Sequence, residues 1–154
     1  MKIAVVKANF GGRNSIFWDN VPQIEGVSYN YFTTEEADTT NLPDNVNIIS
    51  VKENNCILDR PTGMDRYRSR RQAKLYKILP DLFLPDYDYY IWMDAYFELY
   101  SDPRYVIDSS GITEDGKNFA FFKHSQRDCL YEEGELIREI NYDCRQIVES
   151  QLRS

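Results

Sequence analysis

Hydrophobic and polar positions alternate between two regimes along the chain. Short, nearly continuous apolar or β-rich runs occupy Lys2–Val6, Val27–Thr33, Val46–Val51 and Asp88–Met93, and each is bounded by glycine, proline or polar residues. Runs of that length with that punctuation predict buried strands. A shorter strand is predicted over Phe97–Tyr100 and another over Asn118–Lys123. Between them, Leu75, Ile78, Leu79 and Leu82 recur at helical spacing, so a helix is predicted from Asp65, as N-cap, to Leu79, ahead of Pro80. From Tyr131 onward, Ile137, Ile140, Cys144 and Ile147 keep a helical period, which predicts one long terminal helix. Strands alternating with helices imply an α/β fold: a three-layer α/β/α sandwich with a mainly parallel central sheet. The 154 residues suffice for a single domain, 1–154, with one core.

In such sheets ligands sit at the carboxyl ends of the strands. That rule gathers Lys7–Gly12, Thr33–Thr34, Asp94–Tyr96 and His124–Arg127 on one edge. Asp94 follows the buried run Tyr89-Tyr90-Ile91-Trp92-Met93, so its carboxylate emerges there. A lone carboxylate suits Mg²⁺ or Mn²⁺ shared with diphosphate oxygens and waters; the plainer reading is that Asp94 turns the chain. Asp86 and Asp88 precede the strand and fall at its other end.

Charge changes the picture next. With 18 Lys+Arg against 25 Asp+Glu the net charge is −7, which argues against a general nucleic-acid binder. Yet Arg66, Arg68, Arg70, Arg71, Lys74 and Lys77 crowd one stretch, and Arg66, Arg70, Lys74 and Lys77 share a helix face. Such a face either binds a diphosphate, with Arg66, Arg70 and Lys74 as donors, or is a solvated face paired with acids. Downstream, His124 is the only histidine and adjoins Arg127, so the pair can meet an anionic group. Glu132 and Glu133 serve either as general base for an acceptor hydroxyl or as acids at a helix N-terminus. Lys7, Asn9 and Phe10 of the Lys-Ala-Asn-Phe-Gly-Gly segment, with Thr33, are placed to approach a nucleotide, although the segment matches neither dinucleotide nor P-loop patterns. Twelve Tyr and eight Phe give a ring-rich surface of the kind that handles sugars and bases.

Three cysteines without a CxxC pair suggest neither a disulfide framework nor zinc and fit a reducing compartment. No apolar run reaches the ~18 residues of a membrane span, and a cytoplasmic protein is expected.

Taken together, Phe32-Thr33, Arg66 to Lys74 leading into Lys77-Ile-Leu-Pro80, Leu84-Pro85-Asp86-Tyr87-Asp88, Ile91-Trp92-Met93-Asp94, Asp102-Pro103, Phe119-Ala120 and Lys123-His124-x-x-Arg127 with Glu132-Glu133 resemble the TOD1/MUCI70 glycosyltransferase-like domain. The resemblance implies a GT-A-like fold, a UDP- or GDP-linked sugar donor, a glycan or glycoconjugate acceptor, and Mn²⁺- or Mg²⁺-assisted transfer. Many GT-A enzymes hold the metal with Asp-x-Asp, whereas Tyr96 stands in the second position here. Family domains run longer than this sequence, which implies a shortened form, a fragment, or a homo-oligomer that completes the site. Two other readings stay open: a non-catalytic binding domain, and a nucleotidyltransferase, for which the required pair of metal carboxylates is not found.

Overall fold

The computed structural model describes residues 1–10, 21–34, 40, 42–52, 68–113, 118–123, 125–126, 129–140 and 145–153; of residues 68, 70, 71, 130 and 147 it describes the backbone. These residues form two compact units, Met1–Thr113 and Glu114–Ser154.

The first unit contains strands β1 (Ile3–Ala8), β2 (Val27–Thr33), β3 (Val46–Ser50) and β4 (Tyr89–Trp92), with helices α1 (Arg68–Ile78) and α2 (Arg104–Ser110). The strands form one sheet in the order β3-β2-β1-β4, and every pairing is parallel. The α/β, parallel-sheet expectation therefore holds. β1 lies inside the sheet and is buried along its whole length, Lys7 included. The strand runs to Ala8 rather than stopping at Val6, because Lys7 and Ala8 continue the pairing opposite Tyr31 and Phe32.

Side chains alternate between the two faces of the sheet. Ile3, Val5, Tyr29, Tyr31, Val46 and Met93 pack with Ile107 of α2 on one face. Ala4, Val6, Ala8, Phe10 and Phe32 pack with Tyr76 of α1 and Leu84 on the other. Tyr76 is the centre of an aromatic cluster, stacked 4.3 Å from Phe32 and tilted against Phe83 at 4.5 Å, measured between ring centroids.

The return to β4 is not a simple antiparallel helix. Tyr76 and Lys77, at the end of α1, sit by the carboxyl ends of β1, β2 and β4. Residues 79–88 then carry the chain back to the amino edge, through a 3-10 turn at Pro80–Leu82, until Asp88 N donates to the Lys2 carbonyl at 2.9 Å. The α2 helix was not anticipated from apolar spacing. Its signals are local: the Asp102 carboxylate accepts from Arg104 N at 2.9 Å at the start, and Gly111, with φ 64°, ends it in the left-handed conformation. The strand expected over Phe97–Tyr100 is absent, because Asp94–Phe97 closes as a turn and Leu99 joins the core.

In the second unit the segment expected as a strand, Asn118–Lys123, carries no strand pairing, and Phe121 and Phe122 are exposed. The terminal helix is divided into α3 (Leu130–Glu139) and α4 (Arg145–Leu152), which pack against each other. Gly134 permits that approach, since a Cβ there would stand 2.5 Å from Leu152 Cδ2. Among the described residues no helix is long and apolar enough to cross a membrane.

Gly26 turns the chain into β2 with φ 79°, and a Cβ there would lie 2.8 Å from the Met1 carbonyl oxygen. Gly26→Ala is expected to cost about 1–3 kcal/mol through left-handed strain and this clash, seen as a lower urea midpoint with an unchanged slope. Burial pushes the Tyr29, Tyr31 and Tyr76 phenols above their ordinary range. The folded state then keeps protons that the unfolded chain sheds near pH ~10, so stability falls as pH rises beyond that value. Urea unfolding between pH 8 and 11 should show the fall, and Tyr31→Phe should flatten it.

Candidate functional site

The strand order reverses at β1: β2 lies on one side and β4 on the other. Connections leave such a reversal in opposite directions and open a crevice at the carboxyl ends of the two strands. Asn9 and Phe10 leave β1 at that point, Thr33 closes β2, and Asp94 follows β4.

Hydrogen bonds lock this edge. Asn9 N donates to the Phe32 carbonyl at 3.0 Å, and Thr33 Oγ1 donates to the Asn9 carbonyl at 3.0 Å. Met93 N donates to the Val6 carbonyl at 2.9 Å, extending the β1–β4 pairing to the residue before Asp94. Lys7 lies inside, 1% exposed, and its ammonium donates to the Phe97 carbonyl. The turn Asp94–Phe97 is closed by Phe97 N on the Asp94 carbonyl at 3.0 Å. Lys7 thus braces the loop that carries Asp94 from beneath it.

Asp94 itself is exposed. Its Oδ1 accepts from Trp92 Nε1 at 2.7 Å and lies 3.7 Å from Lys77 Nζ, which also stands over the Trp92 ring. Trp92 and Asp94 are two residues apart at the end of a strand, and this spacing puts both side chains on one face. Lys77 arrives from the last turn of α1, where the helix dipole favours a cation. Lys74, one turn earlier, is exposed.

The other sequence-predicted residues divide clearly. Lys7 and Thr33 are buried at the edge as struts, and Phe10 is buried with its ring centroid 5.6 Å from that of Tyr76. Arg66, His124 and Arg127 lie outside the described residues, and Arg70 is described as backbone within α1. Glu132 and Glu133 occupy the first turn of α3 in the second unit. Asp88 lies at the amino end of β1, its carboxylate accepting from Lys2 N at 2.7 Å. A cavity of about 390 Å³ also opens at that amino end, between Gly26–Ser28 and Pro85–Tyr87. Among the described residues that line it, Lys2 is a lone cation and stands with the acidic Asp86, so the chemistry of a phosphate favours the carboxyl edge. Among the described residues no three His, Cys, Asp or Glu side chains gather for a metal. Asp94 offers one hard oxygen ligand, the donor type that Mg²⁺ or Mn²⁺ accepts while keeping waters and phosphate oxygens.

Two contacts escaped sequence reasoning. The Lys7–Phe97 bond joins residues ninety positions apart and has no local signal. The Lys77–Asp94 pair has no local signal either, since Lys77 stands in the sequence as a member of the basic stripe and of Lys77-Ile-Leu-Pro80.

A family model described as TOD1/MUCI70, glycosyltransferase-like domain, matches residues 61–154. No curated protein and no solved structure gives a significant match.

Lys7→Met removes the donor to the Phe97 carbonyl and is expected to cost about 1–3 kcal/mol. Hydrogen exchange should show faster amide exchange at Phe97, with the β1–β2 amides less affected.

Proposed function

Because the chain belongs to the TOD1/MUCI70 glycosyltransferase-like family, we propose that it transfers a sugar from a nucleoside-diphosphate donor to a hydroxyl of a glycan or glycoconjugate. The observation that carries the reading is Asp94, exposed at the β1–β4 reversal and accompanied there by Lys77 and Trp92. An exposed carboxylate at a sheet edge with ammonium groups on the adjoining helix suits a diphosphate better than an apolar ligand.

In this reading Asp94 holds Mn²⁺ or Mg²⁺, which, when bound, neutralises charge on the departing diphosphate. Lys77 and Lys74 supply further positive charge along α1, with Arg70 and Arg66 continuing the stripe. Asn9 and Thr33 shape the edge through backbone and hydroxyl bonds, while Lys7 keeps the Asp94 loop from sagging into the sheet. The sheet belongs, in the same reading, to a three-layer GT-A-type sandwich. Its first described part already has α1 on one face and α2 on the other. In the same reading His124 and Arg127 contact the donor sugar or phosphate and Glu132 or Glu133 acts as base, a proposal supported by the Lys-His-x-x-Arg pattern and the acids that follow it.

Calorimetry with UDP- and GDP-sugars, with and without Mn²⁺, tests the proposal. Mn²⁺-dependent binding is expected, weakened at least about tenfold by Asp94→Ala, together with slow donor hydrolysis. Absence of nucleotide binding under every condition would refute the transferase reading. Binding without turnover of any donor would instead indicate a domain that binds nucleotide sugars without catalysis.

A further inference from the structure

Asp94 is met on one oxygen by two groups of different chemistry. Trp92 Nε1 donates to Oδ1 at 2.7 Å, and Lys77 Nζ lies 3.7 Å from the same atom. The ammonium is also 5.6 Å from the centroid of the Trp92 ring, within reach of a cation–π contact. Hydrogen bond, ion pair and cation–π contact therefore close a triangle whose members come from β4, the turn after it and the last turn of α1.

Neither partner of the ion pair is buried: the Lys77 and Asp94 side chains are 43% and 58% exposed. A hydrated pair of this kind is held weakly and exchanges partners at little cost. Lysine suits such exchange, because its point charge rides on a flexible four-carbon stem, unlike the rigid fork of arginine. The carboxyl end of α1 keeps the ammonium near the edge whichever anion it contacts.

Resting on the transferase reading above, we propose that Lys77 is a built-in counterion for Asp94. It neutralises the carboxylate while no donor is bound and passes to the donor's diphosphate oxygens when a divalent cation takes its place. Without Lys77 an approaching diphosphate meets an uncompensated carboxylate. With a divalent cation on Asp94, like charge repels the ammonium, and the diphosphate is the anion within its reach. Lys77 is thus a positioning residue first and a donor contact second.

Mn²⁺ alone is the first probe, titrated by electron paramagnetic resonance against the full chain. Lys77→Met is expected to bind Mn²⁺ roughly two- to fivefold more tightly than the parent, because a competing charge is gone. The same variant should bind UDP more weakly at saturating Mn²⁺, and Lys77→Arg should stay nearer the parent in both. The chain has two tryptophans, so Trp18→Phe leaves Trp92 as the single indole. In that background Mg²⁺ should shift Trp92 emission with Lys77 present and shift it less in Lys77→Met. Equal Mn²⁺ affinity in parent and Lys77→Met overturns the proposal, as does absence of Mn²⁺ binding in both. UDP binding that ignores Mn²⁺ overturns it too, while leaving nucleotide binding by this edge intact. If Mn²⁺ binds more tightly to Lys77→Met but the parent binds neither UDP nor GDP, the transferase reading falls and the hand-over falls with it.

Discussion

Ile3–Val6 pair with Val27–Asn30 on one side and with Tyr89–Trp92 on the other, both in parallel. That double pairing decides where every other part of the first unit sits. A strand bonded on both edges and covered on both faces tolerates little besides apolar side chains, and β1 meets that demand up to Val6. Because β4 is held in register with β1, the residue after Met93 emerges where β1 gives way to Asn9 and Phe10. A slip of one residue in this pairing would turn Trp92 and Asp94 to the other face of the sheet.

The same constraint explains the charged group, single among the described strand residues, within the sheet. Lys7 continues β1 but has no water to face, and an ammonium buried alone is costly. Its bond to the Phe97 carbonyl satisfies part of that need and pins the chain after β4. Burial thus converts a residue of the glycine-containing loop region into a structural brace. Lys74 and Lys77 of α1, by contrast, are exposed, and the last turn of α1 reaches the carboxyl edge.

That reach follows from the aromatic cluster. Tyr76 stacks on Phe32 and is met by Phe10 and Phe83, so the end of α1 is drawn toward the carboxyl ends of the strands. The cost is a return path over residues 79–88, braced by the Tyr90 hydroxyl donating to the Leu84 carbonyl at 2.7 Å. The benefit for chemistry is that cations on α1 approach Asp94 by the helix end whose dipole attracts them. A phosphate at this edge would therefore depend on side-chain cations more than on free backbone amides of α1.

Local pattern alone determined a good deal. Continuous apolar runs marked the four parallel strands, and the strand-end rule put Asp94 at the candidate edge while sending Asp86 and Asp88 to the other end. The spacing Trp-x-Asp is compatible with one face for both side chains, but the indole–carboxylate bond itself is a finding of the structure. Other features depended on contacts far apart in sequence. Phe97–Tyr100 has strand composition, yet Leu99 is claimed by the core and the turn at Asp94 prevents pairing. Residues from Tyr131 onward have one helical period, but packing of α3 on α4 across Gly134 divides them. Lys7 at the predicted edge and Lys77 on the basic helix face both read as cations open to a ligand. Only tertiary structure separated them, because burial fixes the first on a carbonyl while the second remains exposed beside Asp94.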